Sequence, residues 1–242
     1  MKTKFFNAFL ASITLFAVSC NDKPDTDNTK PTINTPEFLN GNTVVAGDSL
    51  TLNLGFNDNL ELSEAYIEIH HNFEGHSHQK ANVRFEYNNI LTLSGTKENL
   101  VQTIFIPQNA SAGPYHLEVS ALDKAGNRSD ISVSEFFITN SGQPQFSNTT
   151  SSIKTIAGES FNISFLVDDD IDLQEISYQI VNVQSSGTSE FEDDIDLVGT
   201  SDKSFSFNQN FSLSTAGNYE FIVRALDNDD NQSVLKIDIE VK

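Results

Sequence analysis

Residues 112–127 read AGPYHLEVSALDKAGN, and residues 216–231 read AGNYEFIVRALDNDDN. Both segments open with Ala-Gly-x-Tyr, continue to Ala-Leu-Asp and close on asparagine. After Tyr115, apolar residues occupy every second position as far as Ala121, which is the pattern of a β-strand with one buried face. The sequence therefore predicts two copies of one β-structured unit.

The repeat continues upstream of these segments. Residues 46–49, Ala-Gly-Asp-Ser, recur as residues 157–160, Ala-Gly-Glu-Ser, and Asp58 then aligns with Asp169 without a gap. Residues 50–56 alternate between apolar residues and polar or small ones, and turn residues separate such runs. No stretch of ten residues keeps helical spacing, so the predicted fold class is all-β, with about a hundred residues in each copy.

Two features of the repeat resemble known sandwich modules. The Ala-Gly-x-Tyr segment resembles a tyrosine corner, and the pattern Ala-Leu-Asp-x-x-x-Asn-x-Ser is similar to bacterial immunoglobulin-like and cadherin-like modules. The resemblance implies two tandem immunoglobulin-like β-sandwich domains, at residues 31–140 and 144–242, which meet near Ser141-Gly142-Gln143-Pro144. This resemblance concerns the fold, and a fold does not specify a function.

The N-terminus has the composition of an export signal. Two lysines precede an apolar run from Phe5 to Val18. The small residues Ala17, Val18 and Ser19 then lead to Cys20. This end resembles the lipobox of bacterial lipoproteins, with Ala17 where leucine is commonest. It implies a lipoprotein signal peptide over residues 1–19 and a lipid on Cys20. The alternatives are cleavage by signal peptidase I and a transmembrane anchor, although the run is shorter than the roughly 20 residues that span a bilayer.

Residues 20–30 follow as the lipidated cysteine and a tether rich in Asn, Asp and Thr. The acidic residues of the tether resemble the surface-export signals of some Gram-negative lipoproteins. The predicted location is the cell envelope, as an outer-membrane lipoprotein that is periplasmic or surface-exposed. The predicted membrane partner is the bilayer, reached through the N-terminal lipid.

Histidine is concentrated in one short segment. Residues 69–78 read IHHNFEGHSH and contain four of the five histidines, whereas the second copy contains none, so the sandwich fold does not require them. In an immunoglobulin sandwich the end of strand C lies beside the start of strand F. This order predicts that His70 lies near His116 on the outer face, while His71 points inward or ends the strand. Converging imidazoles suit zinc or copper. The predicted metal ligands are His70, His76, His78 and His116.

The alternative is that these histidines are solvated polar residues of a loop. The segment also resembles the signature of an uncharacterised family of bacterial lipoproteins that has a domain of unknown function. That resemblance covers roughly Pro31 to Thr139 and implies no activity.

Acidic residues form a second candidate site, for calcium, which takes six to eight oxygen ligands. They lie in two loops of the second copy that share one end of an immunoglobulin sandwich. The candidate ligands are Asp168, Asp169, Asp170, Asp227 and Asp229. The first copy has a thinner version in Asp58, Glu61 and Asp123. The alternative is a solvated surface in which Asp and Asn form turns. If the domains stack end to end, the acidic end of the second copy meets the histidine end of the first.

Charge and motifs limit the function. Asp and Glu outnumber Lys and Arg by 34 to 14, and such a surface repels nucleic acid. Cys20 is the only cysteine, and no Gly-x-Ser-x-Gly, His-Glu-x-x-His or phosphate-binding glycine loop is present, so we predict no enzyme activity. The leading hypothesis is a non-catalytic envelope lipoprotein that binds a transition metal. The alternative is a structural or adhesive surface module that binds a protein or glycan partner.

Overall fold

The computed structural model describes residues 27–72, 84–184 and 189–242. Within these ranges the regular elements are β-strands, and no helix is long and apolar enough to cross a membrane. The strands form two sandwiches in sequence. Those of the first sandwich are β1 (Thr32–Ile33), β2 (Glu37–Phe38), β3 (Thr43–Val45), β4 (Ser49–Asn57), β5 (Leu62–His71), β6 (Tyr87–Thr92), β7 (Lys97–Phe105), β8 (Gly113–Asp123) and β9 (Ser132–Thr139).

The first sandwich has two sheets. In one sheet β1, β2 and β7 pair with the central strand β4, and the other has the order β3-β9-β8-β5-β6. β3 runs parallel to β9, and the other described pairs in these two sheets are antiparallel. The alternation in residues 50–56 predicts that one face of this strand is buried. Its apolar residues Leu50, Leu52, Leu54 and Phe56 are all buried in the core between the sheets.

The second sandwich repeats this plan. Its strands are β10 (Gln145–Ser147), β11 (Ser152–Thr155), β12 (Ser160–Asp168), β13 (Leu173–Asn182), β14 (Ser189–Asp196), β15 (Ser204–Ser212), β16 (Gly217–Asp227) and β17 (Gln232–Val241). They form sheets of order β10-β12-β15 and β11-β17-β16-β13-β14. Five phenylalanines are buried in this core, and the rings of Phe165 and Phe207 stack with centroids 4.6 Å apart. The prediction of two tandem immunoglobulin-like sandwiches is therefore confirmed.

A tyrosine corner is present in both copies. The Tyr115 hydroxyl donates to the carbonyl of Ser111 at 2.9 Å, and the Tyr219 hydroxyl donates to the carbonyl of Thr215 at 3.0 Å. Burial raises the pKa of Tyr115 to about 12. Each corner fixes the start of the strand, β8 or β16, that crosses the middle of its five-stranded sheet.

The sandwiches meet end to end through polar contacts around Asn231. The side chain of Asn231 is buried, and its Oδ1 accepts hydrogen bonds from the backbone N–H of Ala112 at 3.0 Å and from Asn140 Nδ2 at 2.6 Å. Its Nδ2 donates to the carbonyl of Gly142 at 3.2 Å. The loop between β16 and β17 is thereby joined to the start of β8 in the first sandwich.

Candidate functional site

Strands β5 and β8 lie side by side and bring two histidines together. His70 and His116 are direct partners in the antiparallel register. Their ring centroids are 5.5 Å apart, and the ring planes are nearly perpendicular at 84°. The structure thus places His70 beside His116, as the strand order of an immunoglobulin sandwich predicts. We call these two residues the histidine pair.

A carboxylate borders the histidine pair. Glu118 lies two residues after His116 on the same face of β8, and its Oε1 is 3.5 Å from His70 Nε2. On the other side, His70 Nδ1 is 3.2 Å from the carbonyl oxygen of His71. The carbonyl and the carboxylate both only accept hydrogen bonds, so a neutral imidazole donates to one of them, and a proton on Nδ1 leaves the lone pair on Nε2. The Nε2 lone pair and the Glu118 carboxylate then face each other.

His71 belongs to different surroundings. It is the last residue of β5 and is half-buried, as predicted for a residue that ends the strand. Its Nε2 accepts a hydrogen bond from Arg84 Nη1 at 3.4 Å, and Arg84 Nη2 donates to Asp230 Oδ1 at 3.2 Å. Burial and the positive charge of Arg84 lower the pKa of His71. Because Asp230 lies in the acidic loop of the second sandwich, the acidic end of that sandwich meets the histidine end of the first, as expected for end-to-end stacking.

Three residues of the sequence predictions lie outside the described ranges. Cys20 lies in residues 1–26, and His76 and His78 lie in residues 73–83. The described part of the histidine segment therefore contributes the histidine pair and His71. Glu118 was not among the predicted ligands. The only sequence signal for it is its position two residues after His116 on an alternating strand, which places both side chains on one face.

In the second sandwich three of the five predicted acids, Asp169, Asp170 and Asp227, interact electrostatically. Asp227 is fully buried, and burial raises its pKa to about 7, with a further contribution from the negative charge of Asp169. Burial also raises the pKa of Asp169 to about 6, and Asp170 adds to the effect. Asp168 and Asp229 are exposed, and the backbone N–H of Asp229 donates to Asp227 Oδ1.

In the first sandwich three carboxylates converge. One side-chain oxygen from each of Asp27, Asp58 and Asp123 lies within 4.8 Å of the other two. Sequence reasoning named Asp58 and Asp123 and missed Asp27, which lies in the predicted tether. Glu61, the third residue named there, instead forms an ion pair with Lys124. Among the described residues, no comparable group of three or more forms in the second sandwich.

The histidine pair and the three converging carboxylates both lie in a part of the chain that matches a known family. Residues 18–139 match a family described as a domain of unknown function (DUF4625). The chain belongs to the DUF4625 family. The DUF4625 match ends at Thr139, the last residue of β9, so it contains both the histidine pair and the three converging carboxylates. The second sandwich follows the DUF4625 region. No curated protein matches the sequence.

Three solved structures are similar to the DUF4625 chain at low identity. The fibronectin(III)-like modules of Clostridium thermocellum CbhA are 17% identical, with 88% of this chain and 94% of that chain covered and a TM-score of 0.27. The sialic acid binding region of a Streptococcus sanguinis SK1 adhesin is 11% identical, with 90% and 78% covered and a TM-score of 0.28. Red sea bream transglutaminase is 8% identical, with 88% and 32% covered and a TM-score of 0.30. At these TM-scores the likenesses carry no argument about function.

Proposed function

We propose that this chain is a non-catalytic lipoprotein of the cell envelope whose first sandwich binds a transition metal, zinc or copper, at the histidine pair. The observation that carries the proposal is the cross-strand contact of His70 with His116, with the Glu118 carboxylate facing His70 Nε2. Residues 1–19 act as the signal peptide, and a lipid on Cys20 holds the mature protein at the outer membrane.

The ligand chemistry supports this proposal. Neutral imidazole nitrogen and carboxylate oxygen are both zinc ligands, with bond lengths near 2.1 Å. Two ligand atoms bound tetrahedrally at that length are about 3.4 Å apart, and the distance between His70 Nε2 and Glu118 Oε1 is 3.5 Å. The contact of Nδ1 with the His71 carbonyl also orients the His70 ring, as a second hydrogen bond commonly does for metal-bound histidines. His70, His116 and Glu118 thus supply ligands from two adjacent strands.

The second sandwich supplies an internal comparison for the histidine pair. At the corresponding register, Val181 on β13 faces Glu220 on β16, and this cross-strand position has no imidazole. The sheet therefore forms with or without histidine at this position. His76 and His78, the other two predicted ligands, follow His70 closely in the sequence, and we assign the fourth tetrahedral position to one of them.

Titration of a chain from Asn21 to Lys242 with zinc or copper salts, followed by calorimetry, tests this proposal. This chain retains every described residue and both hydrophobic cores. We expect one ion per chain with a micromolar or lower dissociation constant. Replacing His70 or His116 by alanine removes a ligand, and affinity should fall by more than the roughly 10- to 100-fold caused by losing an outer partner. The variant with His70, His76, His78 and His116 all replaced should bind no ion.

Glu220→Ala is the matched control, because Glu220 stands in the second sandwich where His116 stands in the first. It should leave the metal affinity unchanged. Equal affinity in the unmodified chain and in the His70→Ala, His116→Ala double variant would show that the histidine pair is not the site.

The rival function, a structural or adhesive module, also has an observation in its favour. A groove on the outer face of the same sheet is lined by residues that include Tyr66, Glu68, Ile90, Arg128 and Ile131. The guanidinium of Arg128 stands 4.4 Å from the centroid of the Tyr66 ring, so this ring face is not open to stack on a sugar. Exposed Ile90 and Ile131 and the Glu68 carboxylate instead suit a protein segment with aliphatic and basic residues. Failure of the metal titrations would leave this function in the lead.

A further inference from the structure

The three converging carboxylates of the first sandwich come from separate parts of the chain. Asp27 precedes β1, Asp58 follows β4 and Asp123 ends β8. Asp27 is also bonded to both neighbouring loops: its Oδ1 accepts from Asn59 Nδ2 at 3.1 Å, and its carbonyl accepts from Asn127 Nδ2 at 3.1 Å. The last part of the predicted tether is therefore docked against one end of the sandwich.

One carboxylate oxygen of this group has no hydrogen-bond donor among the described residues. Oδ1 of Asp58 is buried, and no described residue donates a hydrogen bond to it. Oδ2 of the same side chain accepts from the backbone N–H of Leu60 at 3.0 Å. A buried carboxylate oxygen without a donor is unfavourable, because it has lost its hydration. A bound cation would satisfy it.

Among the described residues, the lysines that adjoin this group in the sequence pair with other acids, Lys30 with Asp130 and Lys124 with Glu61. Asp123 is only 2% exposed, and its two oxygens accept hydrogen bonds from the N–H and Nδ2 of Asn127. Each carboxylate oxygen has two lone pairs, so both Asp123 oxygens keep a lone pair for a metal ion.

The second sandwich shows what replaces the third carboxylate when it is absent. Asn140 stands at the same distance before β10 as Asp27 stands before β1. Its amide donates to Asn231 Oδ1 at 2.6 Å, whereas the Asp27 carboxylate can only accept. The second sandwich thus uses a neutral amide and a direct hydrogen bond at this position. The first sandwich instead places the negative charge of Asp27 beside the carboxylates of Asp58 and Asp123.

We infer that Asp27, Asp58 and Asp123 bind one calcium ion, at a site of carboxylate oxygens that is separate from the histidine pair. The donors are all oxygen, which a hard cation prefers, and they come from two loops and a strand end, which suit the flexible coordination of calcium better than the strict octahedron of magnesium. Backbone carbonyls and water complete the coordination shell. Because Asp27 belongs to the predicted tether, the ion fixes this residue to the end of the first sandwich.

An NMR titration of the Asn21–Lys242 chain with calcium chloride tests this inference. We expect saturable shifts of the backbone amides of Leu60 and Asn127, with a midpoint of about 10⁻⁴ to 10⁻³ M, the range of extracellular calcium modules. Magnesium chloride should give a higher midpoint. Asp27→Asn reproduces the amide of the second sandwich at a half-buried position and should raise the calcium midpoint at least about tenfold. Asp58→Asn keeps an acceptor for Leu60 and should abolish saturation.

Asp169→Asn is the control, because Asp169 is the repeat equivalent of Asp58. It should leave the midpoint unchanged, as should the His70→Ala, His116→Ala double variant. Absence of saturable shifts up to about 20 mM calcium, or the same midpoint in Asp27→Asn as in the unmodified chain, would overturn the inference. The amide spectrum of each variant reports directly whether it is folded.

Discussion

Replacing Asn231 by alanine is expected to lower the free energy of unfolding by about 3 kcal/mol. The side chain is buried and makes four hydrogen bonds, two of which hold Ala112 and Asp227. Alanine would leave the N–H of Ala112 without its acceptor and one oxygen of Asp227 without its donor, in places that water does not reach. Each such group costs about 1–3 kcal/mol. Denaturation in urea followed by circular dichroism measures the loss.

Asn127→Ala is the control for this change, because Asn127 holds the same place in the first copy of the repeat. Its Nδ2 donates to Asp123 Oδ2 at 2.7 Å and to the carbonyl of Asp27 at 3.1 Å. The residue is half-buried, so water can replace part of what is lost, and we expect about 1 kcal/mol. Equal losses in the two variants would contradict the view that Asn231 acts as the polar centre of the junction.

The different roles of Asn127 and Asn231 could not be predicted from the sequence. Asn127 and Asn231 are equivalent in the repeat, and strand alternation treats them alike. Only the end-to-end packing of two sandwiches gives Asn231 its partners Ala112 and Asn140. The buried strands were predictable because alternation is a local property, and Leu50 to Phe56 are buried as it requires. Contacts between domains depend on loop conformations that no local pattern encodes.

The residues of the candidate sites were also predictable only in part. His70 and His116 were predictable as neighbours, because the order of strands in an immunoglobulin sandwich places the end of β5 beside the start of β8. Glu118 was missed, since alternation puts many side chains on that face and their rotamers decide which one reaches His70. Asp27 was missed because its composition is that of a solvated tether, and its docking depends on Asn59 and Asn127 in two distant loops.

The second sandwich is expected to become less stable as pH rises from about 4 to 8. Burial raises the pKa of Asp227 from 3.8 to about 7, so the folded state binds this proton more tightly than the unfolded state does. The stabilisation is complete below the unfolded pKa and is lost as pH rises through the folded pKa. At about 1.4 kcal/mol per pKa unit, the loss from Asp227 reaches up to about 4 kcal/mol. Urea denaturation at several pH values between 4 and 8 measures it.

Asp227→Asn separates this carboxyl from the other titrating groups. The asparagine Oδ1 can still accept from the backbone N–H groups of Asp229 and Asn231, but its Nδ2 faces Asn231 Nδ2, donor against donor. The variant should therefore be less stable than the unmodified chain at pH 4, and the difference should shrink towards pH 8, where the buried charge destabilises only the unmodified chain. Asn228→Ser, in the same turn, changes no ionisable group and should keep the original slope. A difference between Asp227→Asn and the unmodified chain that is constant with pH would mean that Asp227 does not hold its proton in the folded state, and that its three N–H donors outweigh its burial.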